Sequence, residues 1–149
     1  MIPPETIIET EAGPRTIIAL YRMPEKPKVL TRNQESGKLE FKPILACVAS
    51  DIAGFIDVLT RDGRHIRLTR DHWIASTKHW VFAKWLCMAD ELFSLHAASM
   101  NESYYVDPVI AVSDVMRALE AGYDIEVANN RNYFANGVLV GGIDFREPV

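Results

Sequence analysis

The densest chemistry in this 149-residue chain lies between Arg61 and His72, where Arg61, Arg64, His65, Arg67, Arg70 and His72 fall within twelve positions. Guanidinium groups grouped in this way fork onto carboxylates or phosphates, and the start of a helix beside them would add backbone donors for an anion. Strand alternation opposes a single patch. It sends Arg64, Ile66, Leu68 and Arg70 to one face and His65, Arg67 and Thr69 to the other. Asp57, Asp62 and Asp71 stand close enough in sequence to neutralise several of these cations. The segment therefore reads first as a solvated hairpin with internal ion pairs, second as a contact for a protein or nucleotide, and third as one for nucleic acid.

Histidine and carboxylate together are the usual tools of proton transfer. His65, His72 or His96, joined by Asp57 or Asp71, would form such a site in a small enzyme or ligand-binding protein. His96 falls on an apolar stripe and is expected to be a buried, hydrogen-bonded histidine. His72 and His79 are seven residues apart, roughly 10 Å along a helix, too far to share one metal ion. No H-E-x-x-H, nucleophile elbow, G-x-G-x-x-G or phosphate-cradling loop occurs. Cys47 and Cys87 lie in apolar surroundings, where a thiol behaves as a small inert core residue. From these absences the sequence leans away from catalysis and implies no catalytic residue, metal or cofactor.

Trp73, Trp80 and Trp85, followed by Tyr104 and Tyr105, make an aromatic centre. Residues 71–100 contain no Gly or Pro and are rich in Ala, Leu, Met, Lys and Trp, which predicts one long helix ending at Asn101. On a helical wheel Ile74, Val81, Trp85, Met88 and Leu92 share the core stripe, while Trp80, Ala83 and Cys87 form a second, lightly charged face. Trp80 is accordingly the best single residue for a partner or homodimer surface, with burial under the sheet or the N-terminal arm as the equal alternative.

Around that helix the chain predicts strands. Residues 1–14 read as an N-terminal arm or, through Ile7 and Ile8, a short edge strand, and the β-branched run from Arg15 to Met23 reads as a buried strand. Val29–Arg32 and Leu39–Val48 form a hairpin interrupted at Pro43. Asp62-Gly63 joins two alternating runs and is the strongest hairpin signal in the chain. Val109–Val112 favours an extended run, Asp114–Ala121 a short helix stopped by Gly122, and residues 123–145 a meander turning at Asn136-Gly137. The expected architecture is one α+β domain over residues 1–149. Its mainly antiparallel sheet packs against one long central helix, with a short second helix and a C-terminal β-meander.

Apolar residues make up 48% of the chain and charged residues 24%, enough to build a core without disulfides or metals. The net charge of −4 is concentrated late, residues 101–149 carrying three Lys/Arg against eight Asp/Glu. That balance opposes non-specific nucleic-acid binding, leaving Arg61, Arg64, Arg67 and Arg70 as the one local route to it. No apolar run is long enough to span a bilayer, so a cytoplasmic protein with reduced thiols is expected. The function expected from the sequence is a non-catalytic binding protein: an inhibitor, immunity-type or adaptor protein with a protein partner. A His/carboxylate enzyme or ligand binder and a nucleic-acid binder are the alternatives.

Overall fold

The computed structural model describes residues 1–96 and 103–147. Two glycine turns fix its registers. Gly63 adopts φ +86° between β5 (Ile44–Thr60) and β6 (His65–Leu68), and Asn136 and Gly137, at φ 48° and 82°, close β11 (Asn132–Ala135) on β12 (Val138–Gly141). Left-handed conformations at both central residues match the twist of a tight hairpin, which is why Asn-Gly sits there. Ahead of them run β1 (Ile7–Thr10), β2 (Gly13–Thr16), β3 (Val29–Arg32) and β4 (Leu39–Lys42). Between the two turns lie β7 (Trp73–Ala75), β8 (Trp80–Phe82), β9 (Glu91–Leu95) and β10 (Tyr104–Val127). The strands join in the order β4-β3-β1-β11-β12-β9-β10-β5-β6, with β2 paired to β1, β7 to β12 and β8 to β7.

This arrangement corrects the expected α+β architecture: the chain is nearly all β, 57% strand and 7% helix, with no long central helix among the described residues. Ser76 breaks the predicted helix near its start. Its hydroxyl donates to the His79 carbonyl at 2.6 Å and its amide to the same carbonyl at 3.0 Å, closing β7 on β8 as a tight hairpin. Further on, Ala89 takes φ 73° and the Asp90 carboxylate accepts from the Cys87 amide, leaving one 3-10 turn at Ala83–Trp85. Helix propensity is worth only tenths of a kcal/mol per residue, and sheet pairing outweighs it. Asn101, expected to end that helix, lies outside the described residues.

The short helix expected at Asp114–Ala121 is likewise replaced, here by β10 running antiparallel to β5 from Val109↔Thr60 to Val127↔Ile44, with register shifts. Conversely, the strand expected from Arg15 to Met23 is mostly the helix α1 (Ile17–Arg22), capped by the Thr16 hydroxyl, which accepts from the Ala19 amide at 3.2 Å. Residues 1–14, expected to give an arm or a short edge strand at Ile7 and Ile8, carry β1 between β11 and β3 rather than at an edge.

Two apolar clusters lie on either side of the β11–β12 hairpin. Tyr133, Ala135, Val138 and Val140 face the cluster of Ile8, Ile56 and Ile74, while Phe134 and Leu139 face Leu30, Trp80 and Phe145. Burial on both faces explains why Tyr-Phe-Ala and Val-Leu-Val are unbroken apolar runs. Among the described residues no helix is long and apolar enough to cross a membrane.

Candidate functional site

Residue 1 is drawn into the molecule rather than left at its edge. Ile2 exchanges backbone hydrogen bonds with Tyr123 at 2.8 Å in both directions, and the Thr69 amide donates to the Met1 carbonyl at 2.9 Å. Gly122 leaves the room: a Cβ there would approach Ile52 Cγ1 to 2.5 Å and Met1 Cβ to 3.1 Å. Expected as a helix stop, this glycine is a strand residue over which residue 1 passes.

Just beyond β6 the chain makes a four-residue turn, the His72 amide donating to the Thr69 carbonyl at 3.1 Å. Such a turn brings its first and last residues together, so Thr69 and His72 reach the same atom. The Met1 nitrogen donates to Thr69 Oγ1 at 2.9 Å and lies 2.8 Å from His72 Nδ1. On the opposite side of the ring, Nε2 is 2.8 Å from the Gly141 carbonyl. A carbonyl only accepts, so Nε2 carries the proton and the neutral ring presents Nδ1 as an acceptor. Gly141 is itself tightly enclosed, a Cβ there falling 2.9 Å from both Phe145 Cβ and Trp73 Cβ.

Asp124, near the end of β10, completes the group. Its Oδ1 accepts from the Tyr133 hydroxyl at 2.9 Å and the Ile125 amide at 2.8 Å, while Oδ2 lies 3.9 Å from both the Met1 nitrogen and His72 Nδ1. Burial disfavours every charge here. It drives His72 well below the usual imidazole range, aided by the Met1 charge and opposed by the Gly141 bond. It also lowers the Met1 amine against the attraction of Asp124 and Asp71, and raises Asp124 to about 6 against the Met1 charge and two hydrogen bonds. The result is a poorly basic imidazole on a backbone nitrogen, beside a carboxyl that ionises near neutrality. Such a set can hand a proton to that nitrogen.

The arginine-hairpin residues, apart from His72, are placed elsewhere. His65 Nε2 and Arg67 Nε both reach Asp57 Oδ1, at 2.5 and 3.0 Å, and Arg70 pairs with Asp114 at 2.5 Å on the surface. Arg64 donates to the Leu95 carbonyl and lies against Gly137, and Arg61 is exposed. His96, expected in the core, is exposed, its ring 4.6 Å from Tyr105. Trp80, expected on a partner face, is buried with its ring 4.2 Å from that of Phe145. Of the proposed His/carboxylate combinations, His65–Asp57 forms at the surface, whereas the buried histidine takes Asp124 rather than Asp57 or Asp71. Thr69, Asp124, Tyr133 and the residue-1 nitrogen were missed; the Thr-x-x-His turn after the Asp-Gly hairpin was the available signal. Among the described residues no three His, Cys, Asp or Glu side chains are grouped to hold a metal ion.

No family model matches the chain, and no curated protein matches it. Solved structures do. A DnaB intein from Synechocystis sp. PCC 6803 superposes with a TM-score of 0.84 at 17% identity, over 95% of this chain and 96% of that one. The DnaX mini intein from Spirulina platensis gives 0.79 at 22% identity, over 95% and 98%. A bacterial intein-like domain from Clostridium thermocellum gives 0.79 at 21%, over 95% and 97%. Inteins are self-splicing, catalytic protein domains, and the likeness corrects the expectation of a non-catalytic inhibitor, immunity-type or adaptor protein. The chain has the fold of the inteins.

Proposed function

We propose that the chain is a self-processing domain of the intein type, acting on an acyl group carried by the nitrogen of residue 1. The observation that carries this reading is that nitrogen's position, buried between Thr69 Oγ1 and His72 Nδ1. With a residue ahead of it, the same atom is an amide nitrogen, and breaking that amide requires a proton at the nitrogen as it leaves. His72 Nδ1, the acceptor of the neutral ring, takes a proton from the attacking nucleophile and, its low basicity favouring release, passes it to the nitrogen, while the Gly141 carbonyl holds the ring in place.

The nucleophile distinguishes this chain. Met1 ends in a thioether with no proton to lose, so its side chain cannot take the acyl group. Water is then the nucleophile: as its oxygen bonds to the acyl carbon one of its protons goes to His72 Nδ1, and as the carbon–nitrogen bond breaks that proton passes to the nitrogen, leaving a carboxylic acid, an amine and the neutral imidazole. A cytoplasmic setting belongs to the same proposal, supported by the two unpaired thiols of Cys47 and Cys87.

The test is a fusion of a folded reporter domain ahead of residue 1. The reporter is expected to be released slowly, leaving Met1 as the new terminus. Met1→Cys, which offers a thiol to the same carbonyl, should accelerate release in the presence of external thiol. His72→Ala should slow both by about 100-fold or more. A junction that stays intact with Met1 and with Met1→Cys, in a folded fusion, defeats the proposal.

A further inference from the structure

Asp124 touches neither Met1 nor His72 at hydrogen-bond distance, yet it is the carboxylate in range of both. Its two oxygens have different surroundings. Oδ1 is held by two donors, the Tyr133 hydroxyl at 2.9 Å and the Ile125 amide at 2.8 Å. Oδ2 lies 3.9 Å from the residue-1 nitrogen and 3.9 Å from His72 Nδ1. The torsion that turns a carboxyl group is broad and two-fold, so nothing in the side chain itself keeps one oxygen forward. The clamp on Oδ1 does. Tyr133 is fully buried on β11, and among the described residues its hydroxyl is the one side-chain donor to Asp124.

We infer that Tyr133 is a positioning residue of the site, fixing Asp124 so that one carboxyl oxygen faces the nitrogen of residue 1 and His72. This rests on the reading of that nitrogen as the reacting atom. In that arrangement the Asp124 charge stabilises the imidazolium while the proton is on the ring and the protonated nitrogen of the tetrahedral intermediate once it has moved, without taking the proton itself. Charged and titratable groups around Asp124 are the Met1 amine, His72, Tyr133, Asp144 and, across the sheet, Cys47. Of these, the amine and Tyr133 favour its ionised form, and Asp144 opposes it.

Tyr133→Phe removes the hydroxyl and keeps the ring. In the unfused chain, carbon NMR of the Asp124 carboxyl, assigned against Asp124→Asn, should show its titration moved upward by about one pH unit. In the reporter fusion, the acid limb of the cleavage profile should move the same way. Placed on Asp124→Asn, the second substitution should move no limb. An unmoved Asp124 titration in a folded Tyr133→Phe chain overturns the inference. Should that variant not fold, the parent chain answers instead: deuterium at the Tyr133 hydroxyl must displace the Asp124 carboxyl resonance, and no displacement overturns it. A shifted titration without cleavage in any fusion defeats the proposed function and leaves the clamp standing.

Discussion

Two histidine–carboxylate pairs lie seven residues apart in this chain and differ in nearly every respect. His65 and Asp57 are in direct contact at 2.5 Å, with side chains 51% and 19% exposed. His72 and Asp124 are 3.9 Å apart, with side chains 2% and 7% exposed. A rule based on distance alone would choose the first. Burial decides the other way, because water screens the surface pair while the interior one sits where charge is expensive. The surface pair also shares its carboxylate with Arg67, so the charge is already spoken for. The buried pair instead shares an unusual third member, the nitrogen of residue 1.

The sharpest way to break this comparison is to delete each histidine. His72→Ala leaves the Gly141 carbonyl without its side-chain donor, takes one of two partners from the residue-1 nitrogen, which keeps Thr69, and opens a cavity. A loss of about 2–4 kcal/mol of stability is expected by denaturant titration, together with the fall in junction cleavage. If His72→Ala proves as harmless as a surface change, burial is not what sets the two pairs apart.

Next in size is the pH dependence, in which the two buried groups oppose one another. Asp124 has its carboxyl raised to about 6 in the folded chain, from 3.8. Its protonated form is the favoured one, so its contribution to stability is present below 3.8 and is lost as pH rises through 6. His72 is lowered from 6.5, so its contribution is present above 6.5 and is lost as pH falls. The slopes partly cancel near pH 4–6 in the parent. Asp124→Asn should unmask a stability that rises with pH through 6.5 and, because the Met1 amine is also lowered, on towards 8.0, and His72→Gln one that falls between pH 4 and 6, by a few kcal/mol at most. Equal, flat profiles in both variants would remove the electrostatic distinction between the pairs.

The turns were legible in the sequence and the long-range pairing was not. Asp62-Gly63 and Asn136-Gly137 specify their hairpins locally, because positive φ is a property of those residues. The stretch from Asp71 to Met100 misled because Ala, Leu, Met and Lys favour a helix only by small increments. The partners that make it strand lie far along the chain: Ile74 pairs with Val140, Ser94 with Val138 and Leu92 with Asp107. His72 was picked out for its charge and is set apart in the structure by its burial. Asp124 looked like one polar residue of an alternating strand, since nothing local reveals that Tyr133 and residue 1 converge on it. A site assembled from residues 1, 69, 72, 124, 133 and 141 has no short motif; only the Thr69–His72 turn is local.

The smallest expected effect belongs to the surface pair and is the control on which the comparison depends. His65 can reach Asp57 as an ion pair only when protonated, and with half its side chain in water the contact gains little over hydration. Arg67 remains on Asp57 after His65 is removed, so no buried charge is left alone. His65→Ala should therefore change stability by no more than about 0.5 kcal/mol, with the difference shrinking further in molar salt as screening grows. It should leave junction cleavage and its pH profile where they were. If His65→Ala instead matched His72→Ala in either measurement, the exposed Asp57 cluster would be a second working site, and the weight placed on desolvation at His72 would be misplaced.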